Sequence, residues 1–297
     1  MSKNSSGDIL KLEQAFDEIE RENPCLGSVV KSFKIYYIGK RVLKGMLAES
    51  SHAQMPPPDE SRLAQGYPWL TEKELASFVD PWGDTVKAAL EPIGQAFPNI
   101  KNDVLLFTEA VSSGGLDFTT CISYFVEGRE DDLDAMADRI KIEPATLKFI
   151  LSQIIKPFVE IRTESLKSLA SEAAWFQGYC PICGAYPELS YLKTKEGHRY
   201  LKCSLCGYDW RFDRMICPYC NKKEEHREIL FVDECDHQWV ELCSFCNRYV
   251  VNIDLRKKEG AMIDIAAIGM VHLDVIAQKR GFLPIANTAW NMVLPES

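Results

Sequence analysis

"RYLKCSLCGYDWRFDRMICPYC", Arg199–Cys220, holds four cysteines in two Cys-x-x-Cys pairs. Two more pairs flank it, Cys180/Cys183 before and Cys243/Cys246 after. Nineteen residues separate the first pair from the second, ten the second from the third, and 22 the third from the fourth. The short middle gap groups the pairs into two modules. One holds Cys180, Cys183, Cys203 and Cys206, and the other holds Cys217, Cys220, Cys243 and Cys246. A pair, an insert of about 20 residues and a second pair is the spacing of a zinc ribbon.

The modules repeat internally. "CPICG" in the first answers "CPYCN" in the second, and "HRYLKCSLCG" answers "HQWVELCSFCN" with one residue more. When two cysteines three apart grip one ion, the chain turns sharply just past the second. That next position favours left-handed backbone, which glycine takes freely and asparagine tolerates. The residues there are Gly184, Gly207, Asn221 and Asn247. A redox dithiol would sit where a strand meets a helix N-terminus, which lowers one thiol pKa. Here "ELSYLKTKEGHRYLK" reads instead as two strands around a turn at Lys195–Gly197. Tetrahedral metal is therefore favoured over a redox dithiol or plain buried thiols. Each module is also too short to fold on apolar burial alone, and a bound ion supplies the missing stability. Four thiolates suit Zn²⁺ or a single iron, and the ligand set does not separate the two. A closed four-sulfur site leaves no open position for hydrolysis at the ion.

Composition excludes several classes. The 297 residues carry a formal charge of −9 and a pI near 5.2. Between Cys180 and Val250 ten Lys/Arg face eleven Asp/Glu, so the cysteine region is no basic patch and nucleic acid is not expected as a partner. The start, "MSKNSSGDILKLEQAF", lacks the apolar core of a secretory signal, and no run of about 18 apolar residues suggests membrane insertion. The expectation is a cytoplasmic protein, where disulfides rarely persist.

Nine of the eleven cysteines fall between Cys180 and Cys246, which marks a domain boundary. The chain before it reads as helices. Ile9, Leu12, Phe16 and Ile19 lie at helical spacing, with Pro24 ending the pattern. Further helices are expected in "VVKSFKIYYIGKRVLKGML", "ELASFVDPWGDTVKAALEPIGQAF", "KNDVLLFTEAV" and "EDDLDAMADRI". A long one starts at Pro144 and runs towards Phe176 with a kink at Pro157. "AQMPPPDES" reads as a polyproline loop. After the cysteines, Met262, Ile265, Ala266, Gly269, Leu273 and Ile276 share one helical face, with Gly281 as the stop. The fold class is thus α+β and multidomain. A helical domain at 1–175 precedes zinc-ribbon modules at 176–214 and 215–252 and a C-terminal helical segment at 253–297.

The remaining candidates have plainer readings. Cys25 and Cys121 read as core thiols. Cys235 and His237 are a rival to the Cys243/Cys246 pair, and His198 and His237 read as hairpin surface. Trp175, Trp210 and Trp239 read as packing anchors. Asp264, His272 and Asp274 read as a solvated helix face rather than a catalytic cluster.

The cysteine pattern resembles the formate dehydrogenase accessory protein FdhE family. The likeness is carried by "AAWFQGYCPICG" at Ala173–Gly184, the opening stretch at Arg199–Cys220, "LCSFCNRYV" at Leu242–Val250 and "DIAAIGMVHLDVIAQKRGF" at Asp264–Phe282. Weaker echoes are "RLAQGYPWL" at Arg62–Leu70 and "FILSQIIKPFVE" at Phe149–Glu160. Asn221 stands where the family more often has glycine, and "DECDHQWVELCSFC" is longer than its usual approach. The resemblance implies a helical domain followed by two rubredoxin-like modules, with all eight paired cysteines as ligands of two metal ions, Zn or Fe. It implies a non-enzymatic maturation factor that binds the catalytic subunit of a molybdenum or tungsten formate dehydrogenase in the cytoplasm. A rubredoxin-like iron redox protein and a zinc-ribbon binding module are the alternative readings. Oligomeric state is not legible.

Overall fold

The computed structural model describes residues 3–50, 59–76, 82–170, 174–232, 235–258 and 260–292. Its helices are α1 (Lys3–Glu22), α2 (Gly27–Ser50), α3 (Glu60–Ala64), α4 (Glu72–Ala76), α5 (Trp82–Ala96), α6 (Lys101–Ser112), α7 (Phe118–Val126), α8 (Glu130–Ile140), α9 (Pro144–Arg162) and α10 (Glu164–Ala170). After the strands come α11 (Ile263–Ala266), α12 (Val271–Lys279) and α13 (Ala289–Met292). The chain divides into two units. One is Met1–Pro56 with Leu70–Arg162, and the other is Pro57–Trp69 with Thr163–Ser297.

In the first unit α9 is the central element. Leu147, Ile150, Leu151, Ile154, Phe158 and Val159 point to different sides of it and all are buried. A helix apolar all round belongs inside a core, and α9 packs against α2, α5, α7 and α8. It runs through Pro157 and stops at Arg162. There the Leu166 N–H bonds back to the Thr163 carbonyl at 3.0 Å and starts the separate α10. The single long helix expected from the sequence is therefore two, and residues 171–173 of it lie outside the described residues. At the end of α9 the buried Glu160 carboxylate receives Lys40 at 2.7 Å and Lys44 at 3.1 Å. Burial opposes its charge, but Lys40, Lys44 and Lys156 hold its pKa down at about 2. Helices α2 and α5 meet at Gly39, where an added Cβ would lie 2.3 Å from the Pro92 Cβ.

Helix α7 is absent from the sequence reading. Its signal is the N-cap Asp117, whose carboxylate accepts from the Thr120 N–H at 3.1 Å. The patterns for α1, α2, α6 and α8 appear as expected, and α5 carries the second half of its pattern. Residues 77–81 and all but the end of the polyproline stretch lie outside the described residues. Cys121 is core, as expected, but Cys25 is exposed on the 3-10 turn between α1 and α2.

The second unit is built on one mixed sheet of β1 (Pro187–Lys193), β2 (His198–Cys203), β3 (Asp209–Arg211), β4 (Arg227–Phe231), β5 (Gln238–Cys243), β6 (Arg248–Asp254) and β7 (Leu283–Pro284). The order is β3-β2-β1-β6-β5-β4. Each zinc-ribbon repeat is an antiparallel meander, and the two join through a parallel pairing of β1 with β6, Ser190 opposite Asn252. Strand β7 pairs with the other end of β6. The repeats are thus laid side by side in the same order. Arg199 on β2 ties them together. Its guanidinium donates to Ser190 Oγ at 2.8 Å, to the Ile216 carbonyl at 3.3 Å and to Glu241 Oε2 at 3.1 Å. Arg227 reaches the same carboxylate oxygen at 2.8 Å.

The C-terminal helix expected as one piece is broken by a 3-10 segment at Ala267–Met270. Its end is as expected: Gly281 has φ +86°, its N–H bonds to the Gln278 carbonyl, and the Phe282 N–H bonds to the Ala277 carbonyl. Helix α12 packs on β5 and β6, and this corrects the reading of its acidic face. Asp264 is exposed and pairs with the buried Lys202 at 2.8 Å, and His272 is half-buried. Asp274 is 1% exposed and faces inward, accepting from the Tyr249 hydroxyl at 2.8 Å. The polar atoms of β6 supply a partner that helical periodicity does not reveal. Gln278 Nε2 donates to the same Tyr249 oxygen at 2.9 Å.

Burial raises the Asp274 pKa to about 7, against the smaller lowering from Tyr249. The folded state keeps this proton up to neutral pH, whereas an unfolded aspartate loses it near 4. Stability from this group is present in acid and falls as pH rises from about 4 to about 7, by about 4 kcal/mol. Asp274→Asn is expected to flatten that slope, so the variant unfolds at higher denaturant than the parent at pH 8 and the difference shrinks by pH 5. Identical pH dependence of the two denaturation midpoints would contradict this placement of Asp274.

Candidate metal centres

Each Cys-x-x-Cys pair sits on a tight turn at the end of a strand or just before one. The N–H of the first cysteine bonds to a carbonyl five residues on: Cys180 to Ala185 at 2.9 Å, Cys203 to Tyr208 at 2.8 Å, Cys217 to Lys222 at 2.8 Å. Cys243 pairs with Arg248 in the same way across β5 and β6. The residue after each second cysteine is left-handed, with φ +77° at Gly184, +66° at Gly207, +57° at Asn221 and +55° at Asn247. The turn chemistry read from the sequence thus appears at all four positions. The hairpin at Lys195–Gly197 is also present, with β1 and β2 on either side. No helix begins at any of the four pairs.

Folding brings the eight cysteines into two groups of four. Cys180, Cys183, Cys203 and Cys206 form one, and Cys217, Cys220, Cys243 and Cys246 the other. Within each group all sulfurs lie within 4.8 Å of one another. In the first, Cys180 to Cys206 is 3.5 Å and Cys183 to Cys203 is 3.4 Å. In the second, Cys217 to Cys246 is 3.9 Å and Cys220 to Cys243 is 3.7 Å. A disulfide would need about 2.05 Å, and all eight are free thiols. Four sulfurs about 2.3 Å from a tetrahedral ion lie about 3.8 Å apart. The thiols therefore already stand close to the spacing an ion of this kind requires.

The electrostatics point the same way. Burial pushes the Cys180 and Cys206 thiols well up. Cys203 goes down despite its burial, because it accepts from neighbouring thiols and from the Leu205 and Cys206 N–H groups, each at 3.4 Å. The second group repeats this. Burial raises Cys217 to about 11 and raises Cys246, while the N–H groups of Cys246 and Phe245 help hold Cys243 down against its own desolvation. One thiolate per group is favoured by the protein alone. Burial opposes ionising Cys180 and Cys206 in the first group and Cys217 and Cys246 in the second, and a cation at the centre would offset that cost.

The surroundings of the two groups differ. Over the first lies the segment Asp59–Trp69, which begins with α3 capped by Asp59. The Trp69 N–H donates to the Pro181 carbonyl at 2.9 Å, between the two cysteines of the first pair. The Tyr179 hydroxyl donates to the Gly66 carbonyl at 2.6 Å, and Pro68 stands against Gly184. Arg62 Nε holds the Pro68 carbonyl at 3.0 Å. The turns of the two groups also touch: a Cβ on Gly178 would fall 1.7 Å from the Pro218 carbonyl oxygen. Tyr186 and Tyr219 lie against each other with ring centres 5.0 Å apart, and Arg248 covers Tyr219 at 4.3 Å.

No local sequence signal announces the covering segment or the Gly178 contact. "RLAQGYPWL" carries only a weak family echo and lies about 110 residues before the cysteines it covers. The rival ligands stay apart from both groups. Cys235 lies 3.7 Å from His237 Nδ1, and neither joins a set of three or more possible metal ligands among the described residues. His198 is half-buried on its hairpin. Trp175, Trp210 and Trp239 are all buried, and Trp175 and Trp210 donate to the Tyr179 and Gln177 carbonyls at 2.7 and 3.0 Å.

Comparison with known proteins follows this geometry. The model of the FdhE central domain matches residues 179–214, which hold the first sulfur group and β1–β3. An FdhE homolog from Aquifex aeolicus is 30% identical over 233 residues, covering 76% of this chain and 75% of its own length. One from Shewanella sp. is 31% identical over 110 residues, 36% of each chain. The crystal structure of the FdhE protein from Pseudomonas aeruginosa shares the fold, with a TM-score of 0.61 over 95% of this chain and 94% of that one at 16% identity. No helix among the described residues is long and apolar enough to cross a membrane. The length of the Aquifex match, together with the two four-cysteine groups, places this chain in the FdhE family.

Proposed function

We propose that this protein is a cytoplasmic, non-enzymatic maturation factor for a formate dehydrogenase, docking its catalytic subunit through a surface shaped by two four-sulfur metal centres. The observation that carries the reading is the pair of sulfur groups, each with four thiols within 4.8 Å, in a chain of this family. Cys180, Cys183, Cys203 and Cys206 hold one ion, and Cys217, Cys220, Cys243 and Cys246 hold the other. The ion, zinc or iron, supplies charge that keeps four thiolates together. The chain's own turns supply their positions and donate N–H groups to Cys203 and Cys243. The modules at 176–214 and 215–252 are small, and the ions substitute for the core they lack. With all four positions taken by sulfur, neither centre presents an open site to a substrate, which supports a scaffold rather than a hydrolase.

Two outcomes test this. Cys203→Ser and Cys217→Ser are each expected to lose one of two metal equivalents and to lower thermal stability, with metal measured by elemental analysis of protein made without oxygen. Full retention in both variants would show that the grouping is wrong. Tagged protein is expected to co-purify with the formate dehydrogenase catalytic subunit from cells that make both. Absence of that subunit under oxidising and reducing conditions alike would count against the docking role.

A further inference from the structure

The sequence repeat gives both centres the same four ligands at nearly the same spacing, yet the fold does not treat them alike. In the first group Cys180, Cys203 and Cys206 are fully buried and Cys183 is 7% exposed. In the second, Cys217 and Cys243 are buried, but Cys220 and Cys246 reach the surface. This half-buried pair takes one cysteine from each turn, so one edge of the second sulfur cage is less covered than any part of the first.

The cause is visible in the chain. The segment Asp59–Trp69 lies over the first centre, fixed by Trp69 to Pro181 and by Tyr179 to Gly66. The second centre has Asn221, Lys222 and Lys223 exposed past its first turn and Ser244, Phe245 and Asn247 exposed around its second. Phe245 is 57% exposed, with Lys222 and His226 against its ring. Loss of an ion from a closed sulfur cage requires water or an incoming ligand to reach the metal as one sulfur leaves. Where the shell is sealed, that step must wait for local opening of the covering segment. Where two of the four cysteines are only half-buried and no such segment lies over them, less of the chain has to open.

Resting on the metal-ligand reading above, we propose that the centres differ in role. The first is a permanent structural rivet, and the second is the exchangeable one, where the ion is taken on or given up through the Cys220/Cys246 edge. The incoming ligand is a small thiol or chelating group, and the released thiolates stay on the chain without any redox change.

The test uses the full chain loaded with zinc, with the metal content measured before anything is added. The chelating dye 4-(2-pyridylazo)resorcinol is then supplied in excess, and samples are alkylated with iodoacetamide at intervals and mapped by peptide mass spectrometry. The expected result is two release phases of one equivalent each, the faster by about tenfold or more. Alkylation at Cys217, Cys220, Cys243 and Cys246 should accompany the fast phase. Trp69→Ala is expected to accelerate the slow phase and leave the fast one within about twofold. Because that variant removes a buried side chain, Tyr179→Phe, which deletes only the hydroxyl donor to Gly66, should shift the slow phase in the same direction by less. A single phase of two equivalents, or first-centre cysteines alkylated first, would overturn the proposal. Fewer than two zinc at the outset, with the eight cysteines alkylated regardless, would instead overturn the metal-ligand reading on which it rests.

Discussion

Four thiols held within 4.8 Å of one another and largely shut away from water cannot all be ionised unless a cation sits among them. This constraint occurs twice here, and most of the second unit is arranged around it. Each group draws two cysteines from a turn before a hairpin and two from the turn after it. Placing the sulfurs together therefore fixes both ends of the hairpin. Where ordinary packing takes over, at β5 and β6 beneath α12, almost every strand residue is buried.

The joining of the two repeats adds something that neither has alone. The parallel pairing of β1 with β6 makes one sheet of two ribbons, and Arg199 crosses the sheet to meet Glu241. An ion pair this deep is costly to desolvate, and its worth lies in geometry as much as in energy. Arg199 also donates to Ser190 and the Ile216 carbonyl, while Arg227 and Trp239 donate to the same carboxylate, so few alternatives exist for sliding one repeat past the other. The contact of Gly178 with Pro218 works in the same sense. It brings the turns of the two centres so close that no side chain fits between them.

The legible part of this architecture was the part written in short-range chemistry. Cysteine spacing gave the grouping of the eight paired cysteines into two sets of four. Gly184, Gly207, Asn221 and Asn247 marked left-handed turns, and Gly281 marked a helix end, because each requirement is local to a few residues. The helices with one clean apolar face were equally readable. What was not legible depends on contacts distant in the chain. Asp274 sits on the face that periodicity assigns to solvent, and only the Tyr249 hydroxyl and the neighbouring Gln278 explain its burial. The break at Thr163 and the 3-10 segment before α12 fall inside patterns that look continuous. Cys25 resembled a core thiol because its neighbours are apolar, but the tight turn between α1 and α2 carries it outward. The segment Asp59–Trp69 reaches the first centre from far upstream, and no local signal announces that. Family likeness contributed the expected partner; the choice between zinc and iron is legible neither from spacing nor from that likeness.

The central claim is that sulfur alone, in two sets of four, surrounds two ions in this protein. X-ray absorption at the metal edge, on protein purified without oxygen and carrying its native metal, reads the first shell directly. The account predicts four sulfur scatterers at about 2.3 Å per metal and two metals per chain. A shell containing nitrogen or oxygen ligands, or a single metal equivalent in fully folded protein, would contradict it.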